Sequence, residues 1–454
     1  MRKQYLKLLS TIFTCCLVLC ARQGVAADTA AVTDLGKRVA ALTREVQLLE
    51  DQNAIEILQR TYGFYMDKAL WTQAADLFTV DGTLEIGPSG VFTGKARVRD
   101  YLLSLGQEGP QEGRLIDQMQ LQPVIHIATD GNSAKGRWRS LVMAGQHQGQ
   151  AWWGSVIYEN EYRNEGGVWK IAKLHGYNIL YSDYAKGWAE SAVASIGPEQ
   201  PLAPDLPPST GHHSYPEKFF VPFHYQNPVT GTSVDMDTAT PELSPVEPDE
   251  LGQTLSDLDT RLERLNDVQS IERLQHAYGY YLDKQQWDTL ANLVAEDGTI
   301  EIAQRGVYVG KKRVRDNLDL YGEQGVHNGV LHNHIQLQPV IHIGTDGKTA
   351  HARARALSML GTYGGAGVWG ASVYENEYVK ESGIWKFKHD HLYTTMFTTY
   401  NEGWAAAPRA APGVNKDNPP DLPPSVVYEA FPKTHIPPFH YPHPVTGAEI
   451  RAPE

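Results

Sequence analysis

The sequence predicts two tandem α+β domains, each with N-terminal helices packed on a curved antiparallel sheet. The first observation behind this is an internal repeat. At an offset of 216 residues, IEILQRTYGFYMDKALW (Ile55 to Trp71) matches IERLQHAYGYYLDKQQW (Ile271 to Trp287), and DGTLEI at Asp81 matches DGTIEI at Asp297. QLQPVIHI recurs at Gln120 and Gln336, and WGSVIYENEY at Trp153 returns as WGASVYENEY at Trp369. A unit this long is no solenoid repeat; it is a duplicated domain. The second observation is order: in each copy helical spacing comes first and strand-type alternation afterwards. The third is composition. A chain of 454 residues with 41% hydrophobic and 20% charged content is neither disordered nor fibrous. Its 41 Gly and 27 Pro argue for many turns and long irregular connections.

The first 27 residues have the character of a secretory leader. Arg2, Lys3 and Lys7 form a positive start, Leu8 to Ala21 an apolar stretch too short for a membrane span, and Val25-Ala26-Ala27 a small-residue cleavage site before Asp28. A lipoprotein signal at Cys20 is disfavoured by the bulky Leu19 before it. Cys15, Cys16 and Cys20 all lie in this leader, so the mature chain is expected to carry no thiol, disulfide or Cys-bound metal. The expected location is periplasmic or secreted.

Residues 28–50 and 251–270 then carry apolar rows at heptad spacing, Leu35, Val39, Leu42, Val46, Leu49 and Leu251, Leu255, Leu258, Leu262, Leu265. Two heptads are too short for a free coiled coil, so each helix is expected to pack on its own domain or its twin, with a partner coiled coil as the alternative. The domains proper are placed at 51–190 and 271–406. In each, the helix continues into YGxYxDKxxW, and a second helix ends at Asp81-Gly82 or Asp297-Gly298. A short helix follows near Arg97 to Leu105 or Arg313 to Leu320. Four strands then form a meander with a hairpin turn at Asp130-Gly131 or Asp346-Gly347. Pro-rich stretches at 191–250 and 407–454 share PDLPPS, PFHY and PVTG, which suits arms laid over the domains better than plain linkers.

Together Y-x-x-Y-x-D-x-x-x-W, D-G-T-x-E-I, the DG hairpin, Y-E-N-E-Y and G-x-W-K resemble the SnoaL-like branch of the nuclear transport factor 2-like superfamily. The resemblance covers Leu35 to Tyr184 and Leu251 to Tyr400. It implies two cone-shaped α+β barrels of the scytalone dehydratase and ketosteroid isomerase kind. Each would enclose an apolar pocket with a few inward polar groups, suited to cofactor-free proton transfer. The scytalone dehydratases offer the nearest local comparison: their Asp falls on Asp67 and Asp283, their pocket His near His334, and their inward Ser near Ser372. Their two water-holding tyrosines fall on Met66 and Ile86, and on Leu282 and Ile302, which speaks against scytalone-type dehydration.

Candidate site residues follow from both lines of reasoning. Tyr62, Tyr65 and Asp67, like Tyr278, Tyr281 and Asp283, sit at i, i+3 and i+5 of a helix, where the Asp either orients a phenol or simply bonds backbone or an Arg. His332 and His334 alternate on one strand face where the first copy has Ile116 and Gln118, and two imidazoles there suit acid–base work. The same pair fixes no third ligand by local spacing, so a metal is not expected. The first copy instead offers His147. Arg353 and Arg355, matched by Arg137 and Arg139, either anchor an anionic oxygen or pair at the surface. Tyr158 and Asn160, matched by Tyr374 and Asn376, face inward by comparison with the family. His175 and His391 are weaker candidates; His126 and His342, and the Trp71 and Trp287 indoles, suit structural roles.

A net charge of −13 argues against nucleic acid and anionic membrane surfaces as partners. The reading is an exported, cofactor-independent lyase, dehydrating a hydroxylated aromatic or lignin-derived compound or expelling formaldehyde from it. By the resemblance, His334 and Asp283 shuttle the proton, aided by His332 and Tyr281, with Asp67 and His147 as their first-copy counterparts. Tyr278 and Tyr374 hold substrate oxygens, and Arg353 or Arg355 meets the developing charge. An isomerase and a non-catalytic binding or scaffold protein are the alternatives. The duplication suggests an internal pseudo-dimer through the sheets and leaves further assembly open.

Overall fold

The computed structural model describes residues 29–196, 202–231 and 241–451. The expected leader and cleavage site, and all three cysteines, lie outside the described residues. Two compact units emerge. The smaller joins the stretch ending at Val46 with Glu242–Arg261. In it Val39, Val46, Leu251 and Leu258 are buried, and the Val246 amide donates to the Gly36 carbonyl at 3.2 Å. A Cβ on Gly36 would meet the Val246 oxygen at 2.4 Å, so only glycine permits this approach.

The larger unit holds both repeats. The first runs α1 (Thr29–Asp67, from Gln47 in this unit), α2 (Trp71–Asp76), β1 (Phe78–Ile86), β2 (Val91–Thr93), α3 (Lys95–Ser104), β3 (Arg114–Ile127), β4 (Ser133–Gln146), β5 (Ala151–Glu165) and β6 (Val168–Asp183). The second runs α4 (Leu251–Asp283, from Leu262 in this unit), α5 (Trp287–Ala291), β7 (Val294–Ile302), β8 (Val307–Val309), α6 (Lys311–Leu318), β9 (Val330–Ile343), β10 (Thr349–Thr362), β11 (Gly367–Glu381), β12 (Ile384–Thr399) and α7 (Gly403–Ala406). Each copy makes one six-stranded sheet, in the orders β2-β1-β6-β5-β4-β3 and β8-β7-β12-β11-β10-β9. The cone-shaped α+β architecture is therefore present twice.

Two details differ from expectation. The first strand of each sheet runs parallel to the last, β1 with β6 and β7 with β12, so the sheets are mixed. The DG pairs do not end a helix. They lie inside β1 and β7, at the irregularity between Phe78 and Thr83 and its counterpart. The helix has already stopped at Asp76, and the strand bends there, where Gly82 passes close to the Ile171 carbonyl.

One face of each sheet carries the helices and forms a core around Trp71 or Trp287, both fully buried. Their indole N–H groups donate to the carbonyls of Gly106 and Gly322 at 2.9 Å. Buried amides tie helix to sheet in the same way in both copies: Gln59 meets Gln120, Asn160 and Tyr162, and Gln275 meets Gln336, Asn376 and Tyr378. The opposite faces share a third core in which Leu115, Met119 and Met143 gather with Leu357, Ala371 and Met396.

The Pro-rich arms supply hydrogen bonds to this outer face. Ser209 donates through its amide and hydroxyl to buried Glu85 at 2.8 and 2.6 Å, and Ser425 to Glu301 at 2.8 and 2.7 Å. His224 meets His126 at 3.0 Å and His440 meets His342 at 2.9 Å. The second arm also reaches the first repeat. There His443 contacts the Gln73 carbonyl at 2.9 Å and Tyr441 lies beside Thr61.

Candidate active site

Residues facing the helices line each cone, and the repeat offset compares the two linings position by position. The first cone is filled. Trp138, Tyr62, Tyr158 and Tyr181 are buried together in its core, with Tyr101 and Leu174 beside them. In the second cone Ala354 stands for Trp138, Asn317 for Tyr101 and Asp390 for Leu174. Tyr321 replaces Leu105, Arg305 replaces Ser89, and His332 and His334 replace Ile116 and Gln118. The exchange removes the largest ring and installs polar groups in an apolar enclosure.

Asp390 is the most telling of these. It is 1% exposed, and neither carboxylate oxygen completes a hydrogen bond. The Tyr278 hydroxyl and Asn376 amide lie next to it and favour its charged form, but Asn376 is already committed to Gln275 at 3.0 Å. Burial dominates and pushes the carboxyl up to about 7. Burial, followed by the neighbouring Asp390, holds the phenols of Tyr278 and Tyr374 well above their ordinary range, so both remain donors at neutral pH. The two rings meet edge to face at 6.0 Å.

Beyond them, Arg305 stands 4.3 Å from the centre of the Tyr321 ring with Nη1 buried and unpartnered. Burial raises the Tyr321 phenol while Arg305 opposes that rise. Both amide atoms of fully buried Asn317 also lack partners. An unmade hydrogen bond on a buried group costs about 1–3 kcal/mol, so this cone retains groups that fold stability alone disfavours.

His334 lies on the same face of β9 as Gln336, which reaches Gln275 on the covering helix. Its backbone N–H donates to Asp283 at 2.6 Å, and its Nδ1 lies 3.1 Å from the same oxygen. His332 has an unpartnered buried Nδ1; burial and then His334 lower its pKa. The structure thus brings together Asp283, His332 and His334, and separately Tyr278, Tyr374 and Asn376 around Asp390. Tyr281 is half-buried against the same core.

Other expected site residues lie elsewhere. Arg355 closes on Asp67 and, at 2.6 Å, on Asp117 of the first repeat, and takes the Gln338 amide oxygen at 2.9 Å. Arg353 is bonded to Glu375 and the Pro438 carbonyl and lies between Phe64 and Phe439. Both arginines belong to the outer face, because β10 turns its odd-numbered side chains there. Asp67 and Arg355 are therefore mutual partners. Tyr65 stacks on His443 and meets Phe439 of the second arm at a tilt, and His147 sits edge-on to Phe431 in the β4–β5 turn. Tyr62 and Tyr158 line the filled first cone.

Glu301, His389 and His391 form the single group of potential metal ligands among the described residues, with ligand atoms within 4.8 Å of one another. Glu301 is occupied by Ser425 and His389 by the Thr299 hydroxyl. In the first copy the same lattice forms from Glu85, His175 and Ser209, with Lys173 in place of His389. The group anchors the arm. Alternation on β12 puts Asp390, between the two histidines, on the opposite face. Sequence reasoning passed over Asp390, Arg305, Asn317 and Tyr321; comparing the repeats at positions that differ, beginning with Leu174 against Asp390, would have found them.

The profile of the SnoaL-like domain matches residues 47–175 and 263–391, more than half of the chain. The chain belongs to the SnoaL-like domain family. Its SnoaL-like copies correspond to the two cones. No curated protein matches the sequence. Among solved structures, a scytalone dehydratase candidate from Novosphingobium aromaticivorans DSM 12444 is 25% identical, covering 32% of this chain and 95% of that one at a TM-score of 0.28. A hexachlorocyclohexane dehydrochlorinase, LinA-type3 from Novosphingobium barchaimii LL02, is 20% identical, with 30% and 92% covered and a TM-score of 0.27. A protein of unknown function from Mycobacterium tuberculosis is 21% identical, with 29% and 73% covered and a TM-score of 0.26.

Proposed function

We propose that the second SnoaL-like cone is an acid–base active site and that the first is its packed scaffold. The supporting observation is the exchange of Leu174 for Asp390 and of Trp138 for Ala354 inside otherwise matching cones. A buried carboxylate with a pKa near neutrality is matched to proton abstraction at physiological pH. Beside it, two protonated phenols supply donors for an oxygen that gains negative charge as the proton leaves.

In this reading Asp390 takes a proton from carbon or from a hydroxyl, while Tyr278 and Tyr374 hold the adjoining oxygen. The His334–Asp283 pair, held between β9 and the end of α4, returns a proton to the leaving group or to a second carbon. Expulsion of water or formaldehyde makes the reaction a lyase; return of the proton to another carbon makes it an isomerase. The aromatic lining favours a hydroxylated aromatic substrate, and the leader-like N-terminus favours an exported protein.

The test is mass spectrometry of reactions with a panel of hydroxylated aromatic monomers and dimers, in parallel with D390N. Loss of water or formaldehyde that disappears in D390N supports the lyase. An unchanged mass with a new retention time supports the isomerase. Turnover undiminished in D390N removes this cone from the chemistry. Ligand retention without turnover would favour a binding protein.

A further inference from the structure

A basic cleft lies away from the cones, where the first repeat, β12 and the second arm meet. Lys68, Arg114, Lys433 and His435 line it together with Asp67 and Glu429. Lys68 is 7% exposed, and among the described residues nothing hydrogen-bonds or ion-pairs with its amine. Asp67, its neighbour in sequence, is committed to Arg355. The Nε2 of His435 is buried without a partner. Arg114 donates Nη2 to the Leu105 carbonyl at 2.7 Å and has no carboxylate partner among the described residues.

The repeat provides an internal control. At the corresponding place in the other copy, Lys284 is exposed, Val330 replaces Arg114, and the first arm carries Glu217 and Phe219 where the second has Lys433 and His435. Phe219 stacks on Tyr177 as His435 stacks on Tyr393, so packing alone is met by a phenylalanine. The basic groups therefore collect at one of two equivalent positions, in a chain whose net charge is −13. Asp67 and Asp117 pull on the Lys68 amine, but both are shared with Arg355, and among the described residues no anion closes on the amine directly.

We propose that this cleft binds a small oxyanion, a phosphate or a carboxylate group, between Lys68, Arg114 and His435. The site exists only in the tandem chain, since its walls come from both repeats and the second arm. Burial pushes the Lys68 amine down to about 8, against the pull of Asp67 and Asp117; a bound anion would raise it again.

Calorimetric titration of the purified protein with sodium phosphate, and separately with sodium acetate, tests this at ionic strength matched with sodium chloride. One site per chain is expected for at least one anion, weakened roughly tenfold or more in K68M, a change worth about 1.4 kcal/mol. The H435F variant, which installs the first arm's residue and keeps the ring stacking, carries the test if K68M does not fold. Phosphate alone or acetate alone supports the site and names its ligand; both binding equally supports a general oxyanion site. Absence of binding by either anion, or binding undiminished in both variants, overturns the proposal.

Discussion

Arg355, on the outer face of β10, is ion-paired with Asp67 at the end of the first repeat's long helix. Both side chains are almost fully buried, and Asp117 completes the group at 2.6 Å. The two carboxylates share one guanidinium, so removal of Arg355 leaves two buried carboxylates uncompensated.

Replacement of Arg355 by Met is therefore expected to destabilise the protein by about 3–5 kcal/mol, the usual effect of breaking a buried pair from one side. Urea denaturation measures this directly. A loss under about 1 kcal/mol would mean that the pair is solvated, as exposed bridges are.

Asp390 separates activity from stability. Its change to Asn is expected to lower turnover by about two to four orders of magnitude with folding retained. Its change to Leu, the residue of the first copy, is expected to abolish turnover and raise stability by about 1–3 kcal/mol, because an unpartnered buried polar group is removed. Melting curves and turnover of the same preparations decide between this and a merely structural carboxylate.

The pH dependence has a fixed sign. As a base with a pKa near 7, Asp390 must be ionised, so kcat/KM should rise from pH 5 to 7 and level off above it. Stability responds in the opposite sense. The folded value lies above the unfolded value near 3.9, so the stabilisation associated with the protonated form is complete below about pH 4 and lost as pH rises through 7. The difference in unfolding free energy between the native protein and D390L, measured from pH 4 to 8, isolates this contribution. A difference that does not change with pH would assign Asp390 an ordinary pKa.

Filling the second cone tests its openness. A354W installs the ring that occupies the first cone through Trp138. We expect substrate binding to be lost, with an overpacking cost of about 1–3 kcal/mol. Unchanged KM and kcat in a folded A354W would place the substrate elsewhere.

Much of the architecture was legible from the residues. The repeat announced two domains, and alternation in QLQPVIHI and WGSVIYENEY marked the strands. What alternation does not supply is which face is inside: Arg353 and Arg355 were placed on one side correctly as a pair, yet that side is the outer one. The DG pairs misled because a bulge and a turn draw on the same residues. Asp390 was hidden between His389 and His391, which attract notice as titrating groups while pointing to the other face. Partners brought from 288 residues away, as Asp67 is to Arg355, leave no local trace at all.

The second arm closes over the first repeat through His443 and Tyr441, which follow the second repeat in the chain. The first repeat is thus completed by a segment synthesised after its twin. A nascent chain interrupted after its second sheet would leave Tyr65 without the rings that pack against it and the Gln73 carbonyl without its histidine. Splitting the gene between the repeats would separate the first repeat from its own covering. The two halves are related by duplication but are no longer independent proteins.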